Sequence, residues 1–327
     1  MADVPELRKD FLTGLYVTIS EARGNRPYMF NNIAEFAEES GASSKCPFCP
    51  ENSELMPETV YTTPNGLVRV IPNKYMAFSS ESPTAYGFHE VVIDTLEHKK
   101  RVTEMKIAEL FEVFFAIQQR LRHYAGDERI KYVQVIKNDG KSAGASLRHL
   151  HWQIFAMSFL PERPQKIQNN FLKYHRQTKS CFFCDRGKME ILKVAENNAF
   201  IAYCPFASTY TNMVNIAPKR HVSDFGSFTK DELKYLSQIF KVCVSALRAL
   251  VPNIAYNVCF QNALYNTESP EKEDEENEFS GGHFFLQIIP RISNMAGFEF
   301  ATDCYINSVR PEKTCELLKN IIKNGKT

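Results

Sequence analysis

The sequence predicts an α+β protein made of two fused copies of one unit, each with antiparallel strands and one long helix. Three observations carry this. Cys-x-x-Cys occurs twice, at Cys46/Cys49 and Cys181/Cys184. Strand-like and helical stretches follow each pair in the same order. Each copy then ends alike, in His149-Leu-His-Trp-Gln153 and in His283-Phe-Phe-Leu-Gln287. Corresponding residues lie about 123 to 135 positions apart, a spacing too long for a solenoid repeat and right for a duplicated domain.

In the first copy, residues 68–75 and 87–94 read as strands. Residues 103–124 place Ile107, Leu110, Val113, Phe114, Ile117 and Leu121 at helical spacing, and a strand follows over 132–138. In the second, strands are expected over 199–206 and 212–221. A helix over 230–250 has Leu233, Leu236, Ile239, Phe240, Cys243 and Leu247 as its apolar face, and strands follow at 257–262 and 283–291. The acidic run 268–280 reads as a solvated loop inserted in the second copy. The expected domains are 1–165 and 175–327, assembled as α+β layers.

Composition narrows the class. The 39 Lys and Arg nearly balance the 38 Asp and Glu, which argues against nucleic acid as the main partner. No stretch approaches the ~20 apolar residues that cross a bilayer, and the start lacks an apolar signal core. A soluble, cytoplasmic protein with no membrane partner is expected. Nine cysteines in such a chain suggest metal or redox chemistry more than disulfides.

Each copy supplies two cysteines and two histidines in matching places: Cys46, Cys49, His98 and His149, then Cys181, Cys184, His221 and His283. Cys₂His₂ is a complete tetrahedral set for zinc with no open position, so two structural zinc ions per chain are expected. The copies differ where the first has His151 and the second Phe285. His149 keeps its counterpart and His151 loses it, which marks His151 as the reacting group. The strand continuing through Gln153 places i and i+2 side chains on one face. The small-residue loop 140–146 in front of it suits close approach of backbone N–H groups and a hydroxyl to an anion such as phosphate.

With these residues assembled, the whole chain resembles the histidine-triad superfamily, and within it the galactose-1-phosphate uridylyltransferase family. The likeness rests on the arginine loop 21–27, Cys46-Pro-Phe-Cys49, Ile71-Pro-Asn-Lys-Tyr75, the segment ending at His98, residues 143–153 and the tail 296–307. The family comprises uridylyltransferases and the similar ADP-glucose phosphorylases. The resemblance implies tandem histidine-triad-like domains, the first catalytic and the second degenerate. It implies that His151 attacks the α-phosphorus and carries the nucleotidyl group. Gln153 stands where superfamily hydrolases have a third histidine, and an amide neither protonates a leaving group nor activates water; transfer is therefore expected over hydrolysis.

The resemblance places Ser146, Asn138 and Gly144 around the α-phosphate and Asn73 near the nucleoside. Gly297 and Glu299 match the region that binds sugar hydroxyls. Arg23 and Arg26 match a loop that reaches phosphates from a partner subunit, which implies a homodimer. Trp152 is expected to face away from His151 and pack in the core. The first reading is transfer of UMP between UDP-glucose and a hexose 1-phosphate such as galactose 1-phosphate, in galactose and carbohydrate metabolism. The alternative is an ADP-glucose phosphorylase using phosphate as acceptor. A nucleotide hydrolase and a non-catalytic zinc-binding module are the remaining classes.

Overall fold

The computed structural model describes residues 4–25, 46–98, 100–185, 192–266 and 282–325. Thirteen strands are described: β1 (Glu6–Lys9), β2 (Tyr16–Ile19), β3 (Tyr61–Thr62), β4 (Arg69–Pro72), β5 (Gly87–Ile93), β6 (Tyr132–Asp139), β7 (His151–Met157), β8 (Lys193–Glu196), β9 (Phe200–Tyr203), β10 (Val214–Pro218), β11 (Tyr256–Gln261), β12 (Phe285–Pro290) and β13 (Tyr305–Asn307). The α-helices are α1 (Ile107–Ala125), α2 (Glu162–Thr178), α3 (Lys230–Leu250), α4 (Gly297–Thr302) and α5 (Pro311–Lys323). The predicted α+β class is what the chain adopts. Among the described residues no helix is long and apolar enough to cross a membrane.

Ten strands form one antiparallel sheet in the order β3-β4-β5-β7-β6-β11-β12-β10-β9-β8. Read from its centre, the order is the same in both directions, with β6 and β11 as the inner pair. The duplication inferred from cysteine and histidine spacing is thus a pseudo-two-fold sheet. Asn138 of β6 pairs with Asn257 of β11 at the seam, so main-chain hydrogen bonds run without a break from one copy to the other.

Period-two alternation sorts the sheet into two faces. In β7, Trp152, Ile154 and Ala156 point to the helix side and His151, Gln153 and Phe155 to the other. Across the same face of β5, His89 pairs with Phe155, Val91 with Gln153 and Ile93 with His151. The helix side is closed by α1 and α3, which present the apolar stripes expected from sequence. Leu110, Val113, Phe114, Ile117 and Leu121 meet Leu233, Leu236, Ile239, Phe240 and Leu247 over Val135, Ile154, Val258 and Leu286. Trp152 is buried there against Phe114, Phe240 and Phe260, as expected.

Three helices, α2, α4 and α5, were not expected. Helix α2 is mostly polar, and only Ile167, Phe171 and Tyr174, spaced four and three apart, are buried. It lies on the face opposite α1 and α3, over the second copy, where Ile167 and Phe171 pack with Phe183, Ile201, Tyr203, Ala217 and Phe285. The one long helix expected in each half is α1 and α3, and α2, α4 and α5 add to them. A stripe of three apolar residues in seventeen gives little periodic signal in a sequence. A separate sheet of β1, β2 and β13 joins the amino-terminal strands to the second copy. The acidic run 268–280 lies outside the described residues.

Candidate active site

The first cysteine–histidine set converges as expected. One ligand atom from each of Cys46, Cys49, His98 and His149 lies within 4.8 Å of every other, and the same holds for Cys181, Cys184, His221 and His283. In the first set, Nδ1 of His149 is 3.7 Å from both sulfurs and Nδ1 of His98 is 3.4 Å from Cys49 Sγ. In the second, the corresponding distances run from 3.4 to 3.9 Å. A tetrahedral ion with nitrogen and sulfur bonds of about 2.0–2.3 Å sets such atoms about 3.6 Å apart. Both clusters therefore fit a metal ion through Sγ and Nδ1. The outer nitrogens of two of the ligands are also held: Nε2 of His149 donates to the Thr95 carbonyl at 2.7 Å and Nε2 of His283 to that of Pro218 at 3.0 Å. With the carbonyl taking the Nε2 proton, each Nδ1 presents a lone pair to the cluster.

His151 follows directly. Its Nδ1 is 2.8 Å from the His149 carbonyl oxygen, which can only accept, so the ring carries its proton on Nδ1. Nε2 is left with its lone pair, the atom a nucleophile needs. The ring is buried and meets Phe48 edge-on at 5.4 Å. Burial pushes its pKa down to about 4, so the neutral form prevails at pH 7. Beneath the strand, Lys137 donates to the His151 carbonyl at 3.2 Å and to Asp94 at 2.8 Å, both side chains fully buried. This ion pair ties β6, β7 and the end of β5 at the point where His151 sits.

The loop before His151 is shaped by two glycines. Gly140 has φ +94° and a Cβ there would come within 2.6 Å of the Ala255 Cβ; Gly144 has φ +83°. Between them runs a 3-10 turn, Lys141–Ala143. The expected role of its backbone is corrected in part. The N–H groups of Ala143, Gly144 and Ala145 bond to carbonyls of Gly140 and Lys141 within the loop. Asn138 and the exposed Ser146 are among the polar side chains placed at this loop.

Asn138 is oriented by a residue the sequence reading passed over. Asn257 Nδ2 donates to Asn138 Oδ1 and to the Ala143 carbonyl, both at 2.8 Å. Asn138 therefore turns its own amide nitrogen toward Gly144, and the second copy props the loop of the first. A polar residue at a core-strand position was the only signal in sequence. His89 was missed as well; it bonds to Gln153 across the strands, and Asn73 lies beside it.

The remaining predicted residues fall elsewhere. Arg23 lies in a 3-10 turn, Glu21–Asn25, whose Glu21 is bonded by Arg310. Gly297 opens α4 next to β13, and Glu299 accepts the Ala296 N–H at 2.9 Å. These three belong to the β1-β2-β13 side of the second copy, apart from the cluster of Asn73, Asn138, Gly144, Ser146, His151 and Gln153. Arg26 lies outside the described residues.

Comparison with known proteins decides the family. Residues 1–161 match the model "Galactose-1-phosphate uridyl transferase, N-terminal domain", and residues 102–326 match a domain of unknown function, DUF4921. An ADP-glucose phosphorylase of Arabidopsis thaliana is 30% identical over 97% of this chain and 93% of its own. The chain belongs to the galactose-1-phosphate uridylyltransferase family, ADP-glucose phosphorylases included. A galactose-1-phosphate uridylyltransferase of Thermotoga maritima is 28% identical over 96% of this chain and 98% of its own. The crystal structure of the Arabidopsis thaliana ADP-glucose phosphorylase with bound ADP-glucose superposes with a TM-score of 0.86 at 28% identity, covering 97% of this chain and 98% of the other. As a member of this family the chain is a nucleotidyltransferase.

The bracing by Asn257 has a measurable consequence. Asn257→Ala removes two hydrogen bonds, together about 1–3 kcal/mol, and frees the 140–146 loop. Hydrogen exchange of the loop amides of Ala143, Gly144 and Ala145 is expected to quicken at least fivefold, while amides of α1 and α3 keep their protection.

Proposed function

We propose that this protein transfers a nucleotidyl group from a nucleoside diphosphate sugar to a phosphate oxygen, through a covalent bond to His151 Nε2. The observation that carries the reading is the hydrogen bond from His151 Nδ1 to the His149 carbonyl, which leaves Nε2 unprotonated. In the first step Nε2 attacks the α-phosphorus, the phosphorus–nitrogen bond forms, and the bond to the bridging oxygen breaks. The sugar 1-phosphate departs with that electron pair; a phosphate is a good leaving group and needs no general acid. In the second step an oxygen of the acceptor attacks the same phosphorus, the phosphorus–nitrogen bond breaks, and its electron pair returns to Nε2 of a neutral His151. Gln153, an amide, binds phosphoryl oxygen without activating water.

ADP-glucose as donor with inorganic phosphate as acceptor is favoured by the likeness to the Arabidopsis thaliana enzyme along nearly the whole chain. UDP-glucose with a hexose 1-phosphate is the second reading, favoured by the amino-terminal family model and the Thermotoga maritima relative. We read residues 1–165 as the catalytic unit. Residues 175–327 are the degenerate one, in which Phe285 replaces the nucleophile and α2 fills the pocket. Ser146, Asn138 and Gly144 hold the α-phosphate and Asn73 the ribose side. Arg23, Gly297 and Glu299, grouped away from His151, serve the site of a second subunit, which makes the working form a homodimer. A cytoplasmic location agrees with this chemistry.

Zinc is the ion that Cys₂His₂ favours, and it closes both clusters as structural sites. Two zinc ions per chain are expected by plasma mass spectrometry. Cys46→Ser and Cys181→Ser should each remove about one, and a chelator that strips both should lower the melting temperature. The transfer itself is tested by intact-mass measurement after mixing with ADP-glucose or UDP-glucose. The expected result is a gain of the mass of AMP or UMP on the wild-type chain and none on His151→Ala. Equal labelling of both proteins, or of neither with either donor, rejects the reading.

A further inference from the structure

One imidazole on the catalytic face has no part in the scheme above. His89 lies on β5 opposite Phe155, with its ring stacked on that phenyl group at 4.0 Å. Only 7% of the residue is exposed, and burial keeps it in the neutral form. Its two nitrogens have partners of different kinds. Nδ1 is 3.2 Å from the backbone N–H of Ala77, which can only donate. The lone pair therefore sits on Nδ1 and the proton on Nε2.

Nε2 is 3.0 Å from Gln153 Oε1 and 3.0 Å from Asn73 Nδ2. Asn73 is oriented independently, because its Oδ1 accepts the Tyr75 N–H at 2.8 Å. Its amide nitrogen is thus another donor and does not compete for the His89 proton. One acceptor is left for that proton, the Gln153 carbonyl. A carboxamide has two ends of nearly equal shape and opposite polarity. Turned one way, Gln153 donates to a phosphoryl oxygen; turned the other, it sets two acceptors against each other.

We propose that His89 is a positioning residue for nucleotidyl transfer: by donating from Nε2 to Gln153 Oε1 it turns the Gln153 amide nitrogen toward the phosphoryl group attacked by His151. The inference rests on the transfer reading and adds a two-link chain to it, from the Ala77 N–H through His89 to Gln153. It also assigns a reason for a histidine at this place in β5. Valine or isoleucine fills the neighbouring same-face positions, Val91 and Ile93, whereas only a ring with one acceptor and one donor nitrogen passes the orientation on.

The test is a double-mutant cycle on the rate of nucleotidyl-enzyme formation, followed by rapid quench with whichever of ADP-glucose and UDP-glucose labels the wild type. His89→Phe keeps the ring stack and removes the donor; His89→Gln returns an N–H near the position of Nε2. His89→Phe is expected to slow labelling about tenfold, with the half-saturating donor concentration changed less than threefold. His89→Gln should recover at least half of the wild-type rate. In a Gln153→Ala background, His89→Phe should change the rate less than twofold. The inference is overturned if His89→Phe labels at the wild-type rate, if His89→Gln is as slow as His89→Phe, or if the loss is equally large without Gln153. Should His89→Phe not fold, the same cycle with His89→Met decides it on the same terms. A wild-type chain that takes up no nucleotide overturns the transfer reading and this inference with it, whereas normal labelling that ignores His89 overturns this inference alone.

Discussion

The hydrogen bond from His151 Nδ1 to the carbonyl of His149 is the contact on which the site depends. It fixes which nitrogen is protonated, and so which nitrogen keeps its lone pair. The carbonyl it needs belongs to a residue that is itself held on both sides of its ring, by the two cysteine sulfurs and by the Thr95 carbonyl. Below the strand Lys137, paired with the buried Asp94, donates to the carbonyl of His151 itself. A flexible imidazole would lose the benefit of a fixed angle of attack; this one sits on a strand paired on both sides. It is buried, and it stands two residues from the histidine of the cysteine–histidine cluster.

The duplication explains how such a site is supported. Both copies keep the cysteine–histidine cluster, while only the first has an imidazole, His151, two residues beyond its cluster histidine. In the second, Phe285 stands at the corresponding place and α2 lies over it, packing Ile167 and Phe171 against it. That copy still shapes the first. Asn257 crosses the seam of the sheet to brace Asn138 and the glycine loop. The continuous ten-stranded sheet makes this bracing possible, because the seam is made of main-chain hydrogen bonds.

The sequence made legible what recurs or alternates. The eight cluster residues stood out because the same four types return in register, and the structure brings both sets together. His151 stood out by contrast with Phe285, and the inward turn of Trp152 followed from period two. What stayed hidden depends on contacts between distant segments. His89 looks like one more residue of a strand until β5 and β7 are aligned and Gln153 is found across from it. Lys137 and Asp94 read as ordinary charges, since nothing local shows that they meet in the interior. Helix α2 escaped because its buried face is three residues wide, and the self-bonding of loop 140–146 is a matter of turn geometry that glycine content does not reveal. Arg23 and Glu299 were read as site residues on likeness alone, and they sit beside the sheet of β1, β2 and β13.

The most direct test of the account is to locate the bond on the imidazole. The protein labelled with ¹⁵N in histidine rings is mixed with its nucleotide-sugar donor, and the adduct is observed by ¹⁵N and ³¹P NMR under denaturing alkaline conditions that preserve phosphoramidates. The account predicts ¹⁵N–³¹P coupling to Nε2 of a single histidine, His151, absent from His151→Ala. Coupling to Nδ1, or to another histidine, contradicts it.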